Sequence, residues 1–168
     1  STIFGIAEPK AVITFNGCIF SKITKITDPN FLNIHELLLV SCEIDDLESL
    51  LHQKLTSLNL IGVIVRGNRN LDLSLAPNLQ ELMIESCRDL SIKFSELNRI
   101  LRYISVADQD HEIYFPETSF SYVAHLDLSN VESVSPKILN NFPNLVSLYY
   151  FDNYLDDSNF EFIKPMSK

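Results

Sequence analysis

Ile34-His35-Glu36-Leu37-Leu38-Leu39-Val40-Ser41-Cys42-Glu43-Ile44 sets out a pattern that returns along the chain. Apolar residues hold its first, fourth and sixth places, a cysteine its ninth and an aliphatic residue its eleventh. The same order recurs in Leu79-Gln80-Glu81-Leu82-Met83-Ile84-Glu85-Ser86-Cys87 and in Leu145-Val146-Ser147-Leu148-Tyr149-Tyr150-Phe151-Asp152-Asn153-Tyr154-Leu155. Aligned on the ninth place, copies fall at Cys18, Cys42, Val63, Cys87, Gln109, Val131 and Asn153, at spacings of 24, 21, 24, 22, 22 and 22 residues. So narrow a period marks a repeat architecture. The other apolar triplets are Leu55/Leu58/Leu60, Leu101/Ile104/Val106 and Val123/Leu126/Leu128. The first copy is degenerate, with Lys10 ahead of Ile13 and Phe15.

Fourth and sixth places lie on one face of a short strand, because strand side chains alternate with period 2. One coil cannot bury them alone; stacked coils share an elongated core. The ninth place turns inward after the strand, where Cys or Asn can hydrogen-bond backbone groups that burial would otherwise leave unpaired. Val63 and Val131 cannot, which predicts looser or water-assisted turns there. Between strands the sequence reads as short helices and turns. Ser135-Pro136 opens one helix, with an N-cap serine and proline at the first helical position ahead of Ile138, Leu139 and Phe142. Asp28-Pro29 opens another before Phe31 and Leu32, and residues 45–53 and 94–102 carry helical apolar spacing. Gly67-Asn68-Arg69-Asn70 reads as a turn. A parallel β-helix is the alternative; it would want three strands per coil and few helices.

The grammar L-x-x-L-x-L-x-x-(C/N)-x-L resembles the leucine-rich repeat family over roughly residues 10–160. The resemblance implies an α/β leucine-rich repeat solenoid of about seven repeats of 21–24 residues, with a parallel concave sheet and short helices and turns on the convex side. Ala76-Pro77-Asn78-Leu79-Gln80-Glu81-Leu82 and Phe142-Pro143-Asn144-Leu145-Val146-Ser147-Leu148 are similar to the "PNL-x-x-L" phrases of the irregular, cysteine-containing repeats of eukaryotic F-box proteins, and the composition is yeast-like. Such repeats imply substrate recognition for a cullin-RING ubiquitin ligase, with a Skp-type adaptor held by a separate upstream F-box that this sequence lacks. The other expectation is a scaffold domain within a larger intracellular assembly, with no ligase role.

Residues 1–168 read as a single domain, expected to be a fragment of a longer chain since it opens Ser-Thr-Ile-Phe without an initiator methionine. A hydrophobic fraction of 46% suffices for a core, yet no stretch reaches the ~20 apolar residues of a membrane span. No signal peptide is evident, and three cysteines in one repeat slot read as buried structural thiols. An intracellular site, cytoplasmic or nuclear, is therefore expected. The net charge of −9 argues against direct binding to nucleic acid or an anionic membrane.

Third, fifth and seventh places should face away from the core. Their columns read Val12, Glu36, Ser57, Glu81, Tyr103, His125, Ser147; Thr14, Leu38, Asn59, Met83, Ser105, Asp127, Tyr149; and Asn16, Val40, Ile61, Glu85, Ala107, Ser129, Phe151. No lysine or arginine stands in any column, whereas Glu36, Glu81, Glu85 and Asp127 do. Leu38, Val40, Ile61 and Met83 form an apolar group, with Tyr103 between it and the pair Tyr149/Phe151. Apolar side chains where water is expected mark interaction surfaces. These acidic and apolar residues are the candidate partner-binding site, for a basic or apolar protein or peptide.

No enzyme chemistry is expected. His125 lies two residues from Asp127, but no nucleophile elbow accompanies them. Asp45-Asp46, Asp108-Gln109-Asp110 and Asp156-Asp157 lack the order of a Ca²⁺ loop. No C-x-x-C spacing points to a metal, and four glycines supply no phosphate-cradling loop, so no cofactor is expected. Phe160, Phe162 and Ile163 after Asp157-Ser158 read as a short helix closing the last coil, while only about ten residues precede the first. Amide hydrogen exchange should therefore be faster in the first copy than in the middle ones; equal protection would refute this asymmetry.

Overall fold

Parallel strands stacked in register dominate the computed structural model, which describes residues 11–17, 19–20, 33–107, 111–129 and 134–150. In chain order the strands are β1 (Ala11–Asn16), β2 (Ile19–Phe20), β3 (Ile34–Val40), β4 (Glu43–Asp46), β5 (Ser57–Ile61), β6 (Ile64–Asn68) and β7 (Asn70–Asp72). They continue with β8 (Glu81–Glu85), β9 (Ser91–Lys93), β10 (Tyr103–Ala107), β11 (Glu112–Tyr114), β12 (His125–Asp127) and β13 (Ser147–Tyr149). One seven-stranded sheet runs β1-β3-β5-β8-β10-β12-β13. Two three-stranded sheets, β2-β4-β6 and β7-β9-β11, form the next wall of the solenoid.

The pairing register follows the repeat pattern. Third-place residues stand side by side from Val12 through Glu36, Ser57, Glu81, Tyr103 and His125 to Ser147. The fourth and sixth places consequently stack on one another inside. Leu37/Leu39, Leu58/Leu60, Leu82/Ile84, Ile104/Val106 and Leu126/Leu128 are all buried, as are the first-place residues Ile34, Leu55, Leu79, Leu101 and Val123.

A local backbone device ends these strands. Gly17, Ser41, Gly62 and Ser86, all at the eighth place, have φ of 67°, 53°, 61° and 55°. This left-handed turn costs a residue with a Cβ about 1–2 kcal/mol, and glycine almost nothing. It is offset by a backbone bond to the following strand: Gly17 N–H donates to Val40 O (2.9 Å), Ser41 N–H to Ile61 O (2.8 Å) and Gly62 N–H to Glu85 O (2.8 Å). The ninth residue then points inward. Cys42 Sγ lies 3.4 Å from Val40 O, and Cys87 Sγ lies 3.5 Å from Glu85 O and 3.7 Å from Leu60 O. The looser turn expected at Val63 is not seen, because Gly62 holds the left-handed conformation and Ile64 N–H donates to Cys42 O at 2.9 Å. Cys18, Gln109, Val131 and Asn153 lie outside the described residues.

The wall opposite the long sheet departs from the α/β expectation. Among the described residues it carries strands and 3₁₀ turns where helices were expected. Residues 45–53 hold the end of β4 and the 3₁₀ turn Glu48–Leu50, and residues 94–102 form a strand-free run of turns in which Leu97 and Ile100 are exposed. Ser135 does cap, its Oγ accepting from Lys137 N–H, but the segment Pro136–Asn141 is a 3₁₀ helix. The reason is reach. A 3₁₀ segment advances about 2.0 Å per residue against 1.5 Å for an α-helix, so a few residues cross the core and return. Phe94, Phe115, Phe120 and Phe142 fill the space such turns enclose, with Phe94 and Phe115 stacked at 4.3 Å. Nor is Gly67-Asn68-Arg69-Asn70 a simple turn: it ends β6 and begins β7, with Arg69 at the corner. A Cβ on Gly67 would lie 2.4 Å from Asp45 O, so only glycine fits there. The segments opened by Asp28-Pro29 and Asp157-Ser158 lie outside the described residues.

Asparagines tie neighbouring coils. Asn78 Nδ2 donates to Gln53 O (2.7 Å) and Asn144 Nδ2 to Ser121 O (2.8 Å), which gives the two "PN" phrases a physical role. Asn98, with no exposed surface, donates to Leu73 O (2.8 Å) and Ala76 O (3.2 Å) while its Oδ1 accepts from Ser95 N–H (2.8 Å). Leu82→Ala should cost about 2–5 kcal/mol as a core truncation. Asn98→Ala should cost at least about 1–3 kcal/mol because it strands buried carbonyls, and Asn78→Ala should cost less because water replaces an exposed bond. Urea denaturation of the three variants checks this ranking; equal losses at Asn98 and Asn78 would refute it.

Candidate functional site

The outward places of the long sheet become three ladders running across its strands. The fifth-place ladder reads Leu38, Asn59, Met83, Ser105, Asp127 and Tyr149 from β3 to β13. The seventh-place ladder reads Val40, Ile61, Glu85 and Ala107 from β3 to β10. Neighbours on a ladder are separated by one strand spacing, about 4.8 Å.

This register divides the candidate residues into two patches. Leu38, Val40 and Ile61 form an aliphatic corner on β3 and β5, half-buried against one another, with Glu36 beside it. Met83 is set apart from Leu38 along their ladder, because Asn59 stands between them. Glu81 and Glu85, both exposed, flank Met83 on β8. Ser57 and Ser105, expected outside, are buried beneath their larger neighbours. Phe151 lies outside the described residues.

The second patch is an aromatic row on β10, β12 and β13. The rings of Tyr103 and His125 stack at 4.3 Å with planes 4° apart, and His125 leans on Tyr149 at 5.8 Å and 48°. Tyr149 is 57% exposed at the outer end of the row. Sequence reasoning named Tyr103 and Tyr149 but passed over His125, the ring that joins them. The signal was available, since His125 occupies the same third-place column as Tyr103.

Asp127 is held rigidly beside the row. Its Oδ1 accepts from Ser129 N–H (3.0 Å) and from the Ser129 hydroxyl, and Oδ2 accepts from Ser105 Oγ at 3.5 Å. A carboxylate fixed in advance next to exposed ring faces can receive a cationic or amphipathic side chain with little loss of its own freedom. The rest of the solenoid keeps its basic residues elsewhere. Arg66 on β6 pairs with Glu43 on β4 (2.7 Å), and Arg69 pairs with Asp89 (3.0 Å). Among the described residues no group of three or more His, Cys, Asp or Glu converges as a metal site, and no helix is long and apolar enough to cross a membrane. A second concavity lies between β11 and Pro136–Asn141, lined by Ile113, Phe115, Glu117, Lys137 and Ile138. No known protein family, curated protein or solved structure matches the chain.

One histidine is tuned by the fold. His52 is 8% exposed, and burial, with His35 and Lys54 nearby, lowers its pKa from the ordinary 6.5. Its Nδ1 accepts from Lys54 N–H at 3.3 Å, which a neutral ring allows. Below pH 6.5 the unfolded chain takes up a proton at this position more readily than the folded one, so stability is lost as pH falls. Chemical denaturation at pH 7.5, 6.5 and 5.5 should show a steeper acid decline for the wild type than for His52→Asn; parallel declines would refute the assignment.

Proposed function

We propose that this chain is a leucine-rich repeat module of about seven copies that binds a protein or peptide on the outward face of its long sheet. A place inside the cell, cytoplasmic or nuclear, is part of this reading, since the three cysteines share one repeat slot that gives each a structural role as a small buried group. The observation that carries the binding reading is the row Tyr103–His125–Tyr149, partly exposed on regular strands beside a fixed Asp127. Rigid aromatic side chains on a preorganised frame supply contact area at low entropic cost, and Tyr is enriched at binding hot spots. The acidic residues Glu36, Glu81, Glu85 and Asp127 favour a basic or apolar partner. Service as the substrate-recognition part of an F-box-type ubiquitin-ligase receptor is the specific form proposed, with the Skp-type adaptor bound only through an F-box upstream of these residues.

The second reading is a scaffold domain. Val12 on β1 and Val146 beside β13, both exposed at the two ends of the long sheet, favour it, since other domains could cover them.

Tyr149→Asp separates the two readings. The exposed position should leave the urea midpoint unchanged while partner capture from cell extract, quantified against the wild type, is lost. A folded variant that retains the same partners would overturn binding at this face and favour the scaffold.

A further inference from the structure

The partner's chemistry can be narrowed, on the premise that the outward face binds. Each tyrosine of the row, Tyr103 half-buried and Tyr149 exposed, has a carboxylate beside it on the adjacent strand: Tyr103 on β10 pairs in register with Glu81 on β8, and Tyr149 on β13 with Asp127 on β12. The inner ring faces are taken, since Tyr103 and His125 stack on one another. What a partner can reach is the outer side of the half-buried Tyr103, toward Glu81, and the exposed part of the Tyr149 ring that His125 leaves uncovered, beside Asp127. We propose that these are two arginine seats, and that the partner is an extended segment carrying two arginines four residues apart.

Three considerations select arginine. A guanidinium is planar, so it stacks on a ring while its N–H fork meets a carboxylate, whereas a lysine ammonium is a strongly hydrated point charge that does one or the other. Charge is complementary: the three ladders hold acidic residues and no lysine or arginine, and Arg102, next to Tyr103 in sequence, stands outside them. Spacing sets the register. Tyr103 and Tyr149 are two strand intervals apart, about 10 Å, and offset by two residues along the strands, about 7 Å, which places the seats about 12 Å apart. An extended chain rises about 3.3 Å per residue, and alternate side chains face opposite ways, so residues i and i+4 reach both seats from one side.

The test uses the whole chain and fluorescein-labelled heptapeptides in fluorescence anisotropy. The probe is Ser-Arg-Ser-Ser-Ser-Arg-Ser; its controls are the same peptide with lysine for arginine, and one with the two arginines adjacent. The spaced arginine peptide should bind about tenfold more tightly than either control, and Asp127→Asn or Glu81→Gln should remove most of that margin. Glu117→Gln, which alters net charge equally but lies by the other concavity, should leave it intact. Equal binding of the three peptides, or an equal effect of all three variants, would reduce the seats to general charge attraction and overturn the proposal. Should no peptide bind while Tyr149→Asp still abolishes partner capture, the arginine assignment falls and the binding face stands; if Tyr149→Asp is also without effect, both fall.

Discussion

Everything in this solenoid depends on stacking the fourth- and sixth-place aliphatic residues of successive strands without a slip. Leu37, Leu58, Leu82, Ile104 and Leu126 occupy one such column, and each is sealed by the coils on either side. A shift of one residue would turn every one of them to the surface, so the hydrophobic effect holds the register tightly. Because the register is held, the outward residues are equally constrained. Tyr103 and His125 are stacked rings for the same reason that Ile104 and Leu126 are stacked aliphatics.

Burial of apolar columns leaves backbone groups to be satisfied at every corner, and the chain does so with short, repeated devices. The left-handed residue at the eighth place passes its N–H to the next strand, and the buried thiol at the ninth fills the bend. On the opposite wall Asn78, Asn98, Asn141 and Asn144 donate to carbonyls 22 to 25 residues earlier, so each coil is pinned to the one before it. Such bonds contribute modestly one by one, but at the buried Asn98 leaving the acceptors unmet would cost more than the bonds contribute. Charge is sorted between the walls: Arg66 pairs with Glu43 on a short sheet and Arg69 with Asp89 at its margin, while the outward ladders of the long sheet hold acids and no lysine or arginine.

Several features of the opposite wall were legible only in part. The helical spacing of Phe94, Leu97, Ile100 and Leu101 is real in the sequence, yet Leu97 and Ile100 end up exposed, because the turn is set by the buried Asn98 and by the phenylalanine cluster. Periodicity over so short a segment does not distinguish a helix from a turn with two inward anchors. The left-handed turns were legible and were passed over. Gly17, Ser41, Gly62, Ser86, Asp108, Asn130 and Asp152 stand at the eighth place of the seven copies, and all are residue types that favour turns.

By itself the sequence determined the repeat, the strand that carries it, which residues face inward and the absence of lysine and arginine from the outward columns. These follow from period-2 alternation and a recurrence of 21–24 residues, which are local properties. Only the tertiary structure decided which outward residues touch. It separated Met83 from Leu38, sank Ser57 and Ser105, and joined Tyr103 to Tyr149 through His125. Contacts between coils depend on side-chain size and tilt across the strand spacing, and no property of a single copy contains them.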